Sequence, residues 1–412
     1  MSGGNRIQYA WFVVALLMPV ALLNYLDRQM LSAMKFSLMT DIPDIGSEAN
    51  WGKILALFKW TYAFLSPVGG YLADRFSRRH AIAASLVVWS AVTWATGQVS
   101  SYDQLLLTRA IMGVSEAFYI PAALALIADY HIGPTRSRAV GMHQIGIYAG
   151  VIIGGFSGYA ADSPSLGWRW MFEVCGLIGV FYALPLFLMV RNAPALPSEL
   201  AAKHSPGGAL RELLGNRSFL LLVFYFTIPA LAGWIVRDWM PAILKAEFGI
   251  GQGKAGVSAT LYWMVAAIFA AFVGGWQADR WMQRSDRGRI YTSAFGVLLI
   301  VIAMLGVGYS PRTGMLGVAI GFLMLFGVGW GLFDTNNMPI LCQITRPHLR
   351  ASGYGIMNMV SISCGGLADW GFGMLRDAQV PLMTIFGIFA GVALCSITLV
   401  LMIRPQALES TR

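Results

Sequence analysis

Twelve runs of about 20 mostly apolar residues divide the chain, the length a helix needs to cross the hydrocarbon core of a bilayer. Six lie at about 9–34, 50–73, 80–99, 102–128, 137–161 and 169–191. Six more lie at about 218–245, 253–278, 289–308, 313–342, 350–376 and 379–403. The expected fold is all-α and polytopic, with twelve transmembrane helices in two six-helix halves. Hydrophobic residues make up 57% of the chain and charged ones 12%. Soluble domains carry about 25% charged residues, so a soluble globular fold is excluded. The one long polar segment, Asn192 to Asn216, holds Pro194, Pro197, Pro206, Gly207 and Gly208 and reads as a linker. The expected domains are 1–191, a cytoplasmic linker at 192–217, and 218–412.

The net charge of +9 does not argue for nucleic acid, because the basic residues sit in short loops between spans. Arg75, Arg78, Arg79, Arg136, Arg138, Arg211, Arg280, Arg284, Arg346 and Arg350 share one set of loops. The positive-inside rule makes that set cytoplasmic, with both termini inside. The expected location is the cell (inner) membrane. The first apolar run is too long for a cleavable signal and contains Asp27-Arg28, so it is expected to be a retained helix. Cys175, Cys342, Cys364 and Cys395 lie within spans and show neither metal-ligand spacing nor a disulfide framework. The five histidines are scattered, and no nucleophile stands with a base, so an enzyme is not expected.

An internal repeat supports two halves. Gly70-Tyr-Leu-Ala-Asp74-Arg75-Phe-Ser-Arg78-Arg79 follows the second span, and Gly275-Trp-Gln-Ala-Asp279-Arg280 follows the eighth. The first copy resembles the loop signature of the major facilitator superfamily, with Ser77 where glycine is usual. That resemblance implies a transporter with its site at the midplane between halves, working by alternating access. It also implies a cytoplasmic gate at Asp74, Arg75, Arg78, Arg79, Asp279 and Arg280, paired across the seam when that side is closed.

Charges inside the spans narrow the reading, since each costs at least about 2.5 kcal/mol at bilayer depth. Span one contains Asn24-Tyr25-Leu26-Asp27-Arg28-Gln29, and span four contains Arg109 and Glu116. Seven residues are almost two full helical turns, so Arg109 and Glu116 face one side about 10 Å apart. Such a stripe either locks helices together or handles protons.

Tyr25, Asp27 and Arg28 in span one, Trp60-x-Tyr62 in span two, and Arg109-x6-Glu116 with Pro121 in span four are similar to the anion:cation symporter family. That resemblance implies proton-coupled symport of a small organic anion, a sugar acid such as a hexonate or hexuronate. It makes Asp27 and Glu116 proton sites with Arg109 their regulator, and Arg28, Tyr25 and Tyr62 the anion site. An arginine fork suits a carboxylate through two parallel hydrogen bonds. Lys59 departs from that family; it either receives a second anionic group or pairs with Asp27 or Glu116. Gln144, beside His143, is a further substrate candidate in span five. Asn336 and Asn337 in span ten and Asn358 in span eleven are candidates for sugar hydroxyls. Asp334 leaves sodium open as the coupling ion. Arg237 and Asp238 fall toward the outer end of span seven and are candidates for an outer gate.

The spinster-like lysolipid and sphingolipid transporters resemble the chain too, through Asp-Arg in span one, Ser115-Glu116-Ala117-Phe118-Tyr119 and Ile127-Ala128-Asp129. This is the alternative function. No cofactor and no resident metal are expected beyond the transported ion. The partners are the anion and the bilayer, and a monomer is expected. Gly146, Gly150, Gly154 and Gly158 form a ridge in span five. It permits close backbone contact and sliding against the other half.

Overall fold

The computed structural model describes residues 3–75, 77–131, 135–193, 206–346 and 349–405, and within these the side chains of 3–6, 70–75, 137, 206, 207, 209 and 351 are left aside. Lipid offers no hydrogen bonds, so the backbone of an apolar run must satisfy itself, and the helix is the local way to do so. The first half holds α1 (Gly3–Ala33), a short α2 (Lys35–Asp41), α3 (Glu48–Arg75), α4 (Arg78–Thr96), α5 (Tyr102–Glu116), α6 (Tyr119–Tyr130), α7 (Arg136–Asp162) and α8 (Gly167–Met189). The short α9 (Pro206–Gly215) follows, then α10 (Arg217–Phe248), α11 (Gln252–Met282), α12 (Gly288–Tyr309), α13 (Leu316–Ile344), α14 (Arg350–Asp377) and α15 (Leu382–Leu401). With α5 and α6 taken as one span, twelve helices cross. Among the described residues nine spans are apolar enough on hydropathy alone. The other three, α3, α4 and α14, carry polar residues within the span, such as Lys53 and Lys59, Thr93 and Thr96, or Asn358 and Asp369.

The fourth span is broken where one continuous helix was expected. α5 ends at Glu116 and α6 starts at Tyr119. Pro121 explains the break: it has no N–H to give, and its ring crowds the carbonyl four residues back, at Ala117. The loosened backbone is met by α3. A Cβ at Gly69 would stand 2.6 Å from the Ala117 carbonyl oxygen, so only a glycine fits there.

The linker reading changes as well. Residues 194–205 lie outside the described residues, and 206–215 form α9. Leu213 of α9 is buried, whereas Leu210 and Leu214 are exposed.

Two compact units divide the chain. The first is Met1–Leu200 with Asp238–Thr260, and the second is Ala201–Arg237 with Leu261–Arg412. The far end of α10 and the start of α11 therefore pack within the first unit, which the expected boundaries do not anticipate. In the first unit α1 lies along α7, α4 along α8, and α3 along α5. Val13, Leu17 and Val20 of α1, Leu86 and Trp89 of α4, and Leu126 of α6 share its apolar core. In the second unit α12 lies between α13 and α15.

The glycine ridge of α7 seats α1. A Cβ at Gly146 would stand 2.7 Å from the Met18 carbonyl oxygen, and one at Gly154 2.9 Å from that of Leu26. Gly150 meets Leu22 between them. Three of the four ridge glycines thus face α1 of their own unit, and the ridge fixes the helix that carries Asp27 and Arg28. Gly158 meets Gln252 and Gly253 at the start of α11.

Overpacking a close-packed contact costs about 1–3 kcal/mol. Gly150→Val is therefore expected to lower the thermal unfolding temperature in detergent. Gly141→Ala is the control, because a Cβ there meets nothing within 4 Å. Equal melting of the two variants would contradict the seating role of the ridge.

Candidate functional site

The buried charges of α1 and α5 meet in the first unit, but not in the expected pairing. Arg28 donates from Nε to Glu116 Oε2 at 2.7 Å, and its Nη2 lies 2.6 Å from the same oxygen. Arg28, and not Arg109, is the ion-pair partner of Glu116. The guanidinium lies over the rings of Tyr25 (4.7 Å), Phe58 (4.7 Å) and Tyr62 (4.9 Å). An arginine over aromatic faces gains about 0.5–2 kcal/mol per ring, more where water is excluded. Tyr25 comes from α1, one turn before Arg28, and Phe58 and Tyr62 come from adjacent turns of α3.

Asp27 points elsewhere, as neighbours about 100° apart on a helix must. Its Oδ2 accepts from Thr93 Oγ1 of α4 at 2.7 Å. Arg109 donates from Nη2 to Thr96 Oγ1, one turn further along α4, at 3.1 Å. It is within electrostatic reach of both Asp27 and Glu116. Asp27, Arg109 and Glu116 are 2%, 2% and 0% exposed. Each carboxylate engages one oxygen only. Asp27 Oδ1 and Glu116 Oε1 are buried without a hydrogen bond. Asn24 lies beside Glu116 with its amide outside hydrogen-bond geometry. An acceptor left bare inside a protein is costly, by about 1–3 kcal/mol, and a proton or a ligand donor relieves it.

Lys59 finds a partner that the expected alternatives did not include. Its Nζ lies 2.5 Å from Asp238 Oδ2 of α10, inside the first unit. Arg237 stands over the ring of Trp234 at 5.4 Å. Gln144 is half-buried on α7, and its neighbour His143 is bonded through Nε2 to the Tyr119 hydroxyl at 2.9 Å.

The remaining substrate candidates belong to the second unit. Asn336 is buried and donates to the Leu332 carbonyl at 2.8 Å. Asn337 is buried, Asn358 half-buried and Asp334 exposed. The side chains of Asp74 and Arg75 lie outside the described residues. The other gate residues have neighbours within their own unit. Arg78 pairs with Asp129 and donates to the Ala125 carbonyl, and Arg79 lies over Phe187. Asp279 pairs with Arg289 at 2.5 Å, and Arg280 lies over Trp276. Among the described residues no group of three or more His, Cys, Asp or Glu is placed to hold a metal.

The structure adds three residues to the sequence reading, Phe58, Thr93 and Thr96, and gives Asp238 a partner in Lys59. The α4 pair was signalled by Ser90, Thr93 and Thr96 at three-residue spacing in an apolar span. Phe58 carried no signal beyond its position one turn before Tyr62.

Removing one partner of a buried ion pair costs about 3–5 kcal/mol, whereas replacing both with apolar residues is often neutral. Arg28→Met is therefore expected to destabilise the protein in a detergent thermal melt, and Arg28→Met/Glu116→Met to recover most of the loss. A double variant no better than the single would show that the two side chains are not mutual partners.

The family profile of the Major Facilitator Superfamily matches residues 17–368. Human protein spinster homolog 1 is 33% identical over 254 residues, 58% of this chain and 47% of the relative. The chain spans about half the length of the spinster homologues it matches first. An MFS-type efflux pump of Mycolicibacterium smegmatis is 26% identical over 380 residues, 90% of this chain and 85% of the pump. Among solved structures, a bacterial homolog of the human lysosomal transporter Spinster, inward-facing, superposes with a TM-score of 0.76 at 20% identity, covering 96% of this chain and 95% of its own. A D-xylose-proton symporter gives 0.78 at 18% identity, covering 96% and 98%. At these identities the structural likeness speaks to fold alone.

Proposed function

We propose that this chain, which belongs to the major facilitator superfamily, is a proton-coupled transporter of the spinster type, carrying an amphipathic lipid with an anionic headgroup such as a lysolipid or a sphingolipid. The observation that carries this reading is the Arg28–Glu116 pair within its aromatic rings. Arg28 is neutralised either by Glu116 or by a substrate anion, because one guanidinium in a dry site does not leave two anions stable beside it. A proton taken up at the bare Oε1 of Glu116 frees Arg28 for the headgroup. Asp27, held apart by Thr93, is a second proton site, and Arg109 biases both carboxylates. Alternating access exposes the set first to one face and then to the other. The loops rich in arginine face the cytoplasm, the membrane is the cell membrane, and the protein works as a monomer without a cofactor.

Sequence similarity to spinster homologues favours a lipid over the sugar acid expected first. The sugar-acid symporter remains a second reading, because Tyr25 and Tyr62 do gather around Arg28 as the anion:cation resemblance implies.

Reconstitution in liposomes with an imposed pH gradient separates the two. A labelled lysophospholipid is expected to move with the gradient, and a hexonate or hexuronate is not. Arg28→Ala is expected to abolish movement. Asp27→Asn and Glu116→Gln are expected to keep exchange but lose the response to the gradient. Gradient-driven accumulation of the sugar acid alone would sink the lipid reading, and full gradient response in both carboxylate variants would sink the coupling assignment.

A further inference from the structure

Thr93 Oγ1 stands within hydrogen-bond distance of two acceptors. Asp27 Oδ2 is 2.7 Å away and the Trp89 carbonyl oxygen 3.0 Å. A hydroxyl has one hydrogen to give and two lone pairs with which to accept. It therefore serves these two oxygens in turn, not both at once. Thr93 is 0% exposed, so the choice is settled inside the protein.

Thr96, on the next turn of α4, has no such choice. Its Oγ1 is 2.8 Å from the Val92 carbonyl oxygen and 3.1 Å from Arg109 Nη2. A guanidinium only donates. The Thr96 hydrogen is thus committed to Val92, and a lone pair to Arg109. Thr93 differs because its side-chain partner is a carboxyl, which turns from acceptor into donor when it takes a proton.

The hydrogens can be followed through both states. With Asp27 ionised, Thr93 donates to Oδ2, a charge-assisted bond and the stronger of its two options. The Trp89 carbonyl is not stranded, because within α4 it also receives the backbone N–H of residue 93. With Oδ2 protonated, the Asp27 O–H donates to Thr93 Oγ1. The Thr93 hydrogen then turns to the Trp89 carbonyl, the back-bond that threonine makes four residues up a helix. One proton enters, and every hydrogen on the path has an acceptor.

The groups around Asp27 leave this oxygen to Thr93. Glu116 and Arg109 of α5, Arg28 of α1 and Cys175 of α8 lie within electrostatic reach. Among the described residues Thr93 is the one that hydrogen-bonds the Asp27 carboxyl, and Oδ1 has no hydrogen-bond partner.

We propose that Thr93 is the proton relay of Asp27: its hydroxyl faces the carboxylate when Asp27 is ionised and turns to the Trp89 carbonyl when Oδ2 is protonated, so that Asp27 is hydrogen-bonded in both states. This rests on the reading of Asp27 as a proton site and adds to it a positioning residue, which passes a change of charge on α1 to the backbone of α4.

The Trp89 carbonyl is the reporter. Full-length protein, isotope-labelled at the backbone carbonyl carbon of tryptophan, is reconstituted in lipid without substrate. Infrared difference spectra are taken as the pH is stepped. The band of the protonated Asp27 carboxyl is the one absent from Asp27→Asn. A labelled tryptophan carbonyl band is expected to move to lower wavenumber in step with it, as that carbonyl gains a hydrogen bond. Thr93→Val is expected to abolish the tryptophan shift while Asp27 still titrates, and Thr93→Ser to keep it. Thr292→Val, which removes a back-bonding hydroxyl in the second unit, is expected to leave it unchanged. Asp27 titrating in the parental protein without a tryptophan shift overturns the relay, whether or not a Thr93 variant folds. A shift that survives Thr93→Val overturns it too. An Asp27 that takes up no proton as the pH falls overturns the proton-site reading itself, and the relay with it.

Discussion

A charge inside a bilayer has no water to neutralise it, and the first unit is arranged around that constraint. Four cations, Arg28, Lys35, Lys59 and Arg109, are drawn into the interior or its rim, and each is met by a carboxylate, an aromatic face or a hydroxyl. Burying a pair this way is seldom a source of stability, since desolvation consumes most of the attraction. The apolar core and the backbone contacts must supply the stability, and the charges are retained for what they do. The glycine contact of α7 with α1 is the chief such support for the site, because it sets the depth and rotation of the helix that carries Asp27 and Arg28.

The two carboxylates illustrate how one short sequence is divided into separate tasks. Asp27 and Arg28 are adjacent in the chain yet face different helices, α4 and α5. Each carboxylate uses a single oxygen for structure. The arrangement is thus held in place without being saturated, which is what reversible binding needs. A fully satisfied network would be more rigid and less able to exchange partners.

Much of the fold was legible in the sequence because hydropathy and the Gly-x-Leu-Ala-Asp-Arg repeat act over long stretches. The buried charges were legible as candidates for a related reason: Asp27, Arg28, Arg109 and Glu116 stand out against an apolar background. Their pairing was not. The one-face rule joined Arg109 to Glu116 within a helix, but the contact formed is between helices, and Arg28 reaches Glu116 from α1. Lys59 illustrates the same limit, since its partner Asp238 is 179 residues away and belongs by sequence to the other half. The break after Glu116 was also missed, although Pro121 was in view, because a proline in a membrane helix is often tolerated when neighbours take up the freed groups. The family resemblance first favoured sugar acids, because the residues around Arg28 occur in both groups and do not by themselves distinguish their cargoes.

That break makes the fourth span a jointed rod. Ala117 still donates to the Gly113 carbonyl, but Pro121 has no N–H to give the Ala117 carbonyl in turn, so bending there strains fewer bonds than bending elsewhere along the span. The joint falls immediately after Glu116. Gly69 of α3 seats the joint itself, at Ala117 and Phe118, while Arg109 and Glu116 both belong to α5 and share one rigid segment. Leverage at one end of the span is absorbed at the knuckle before it reaches the charges.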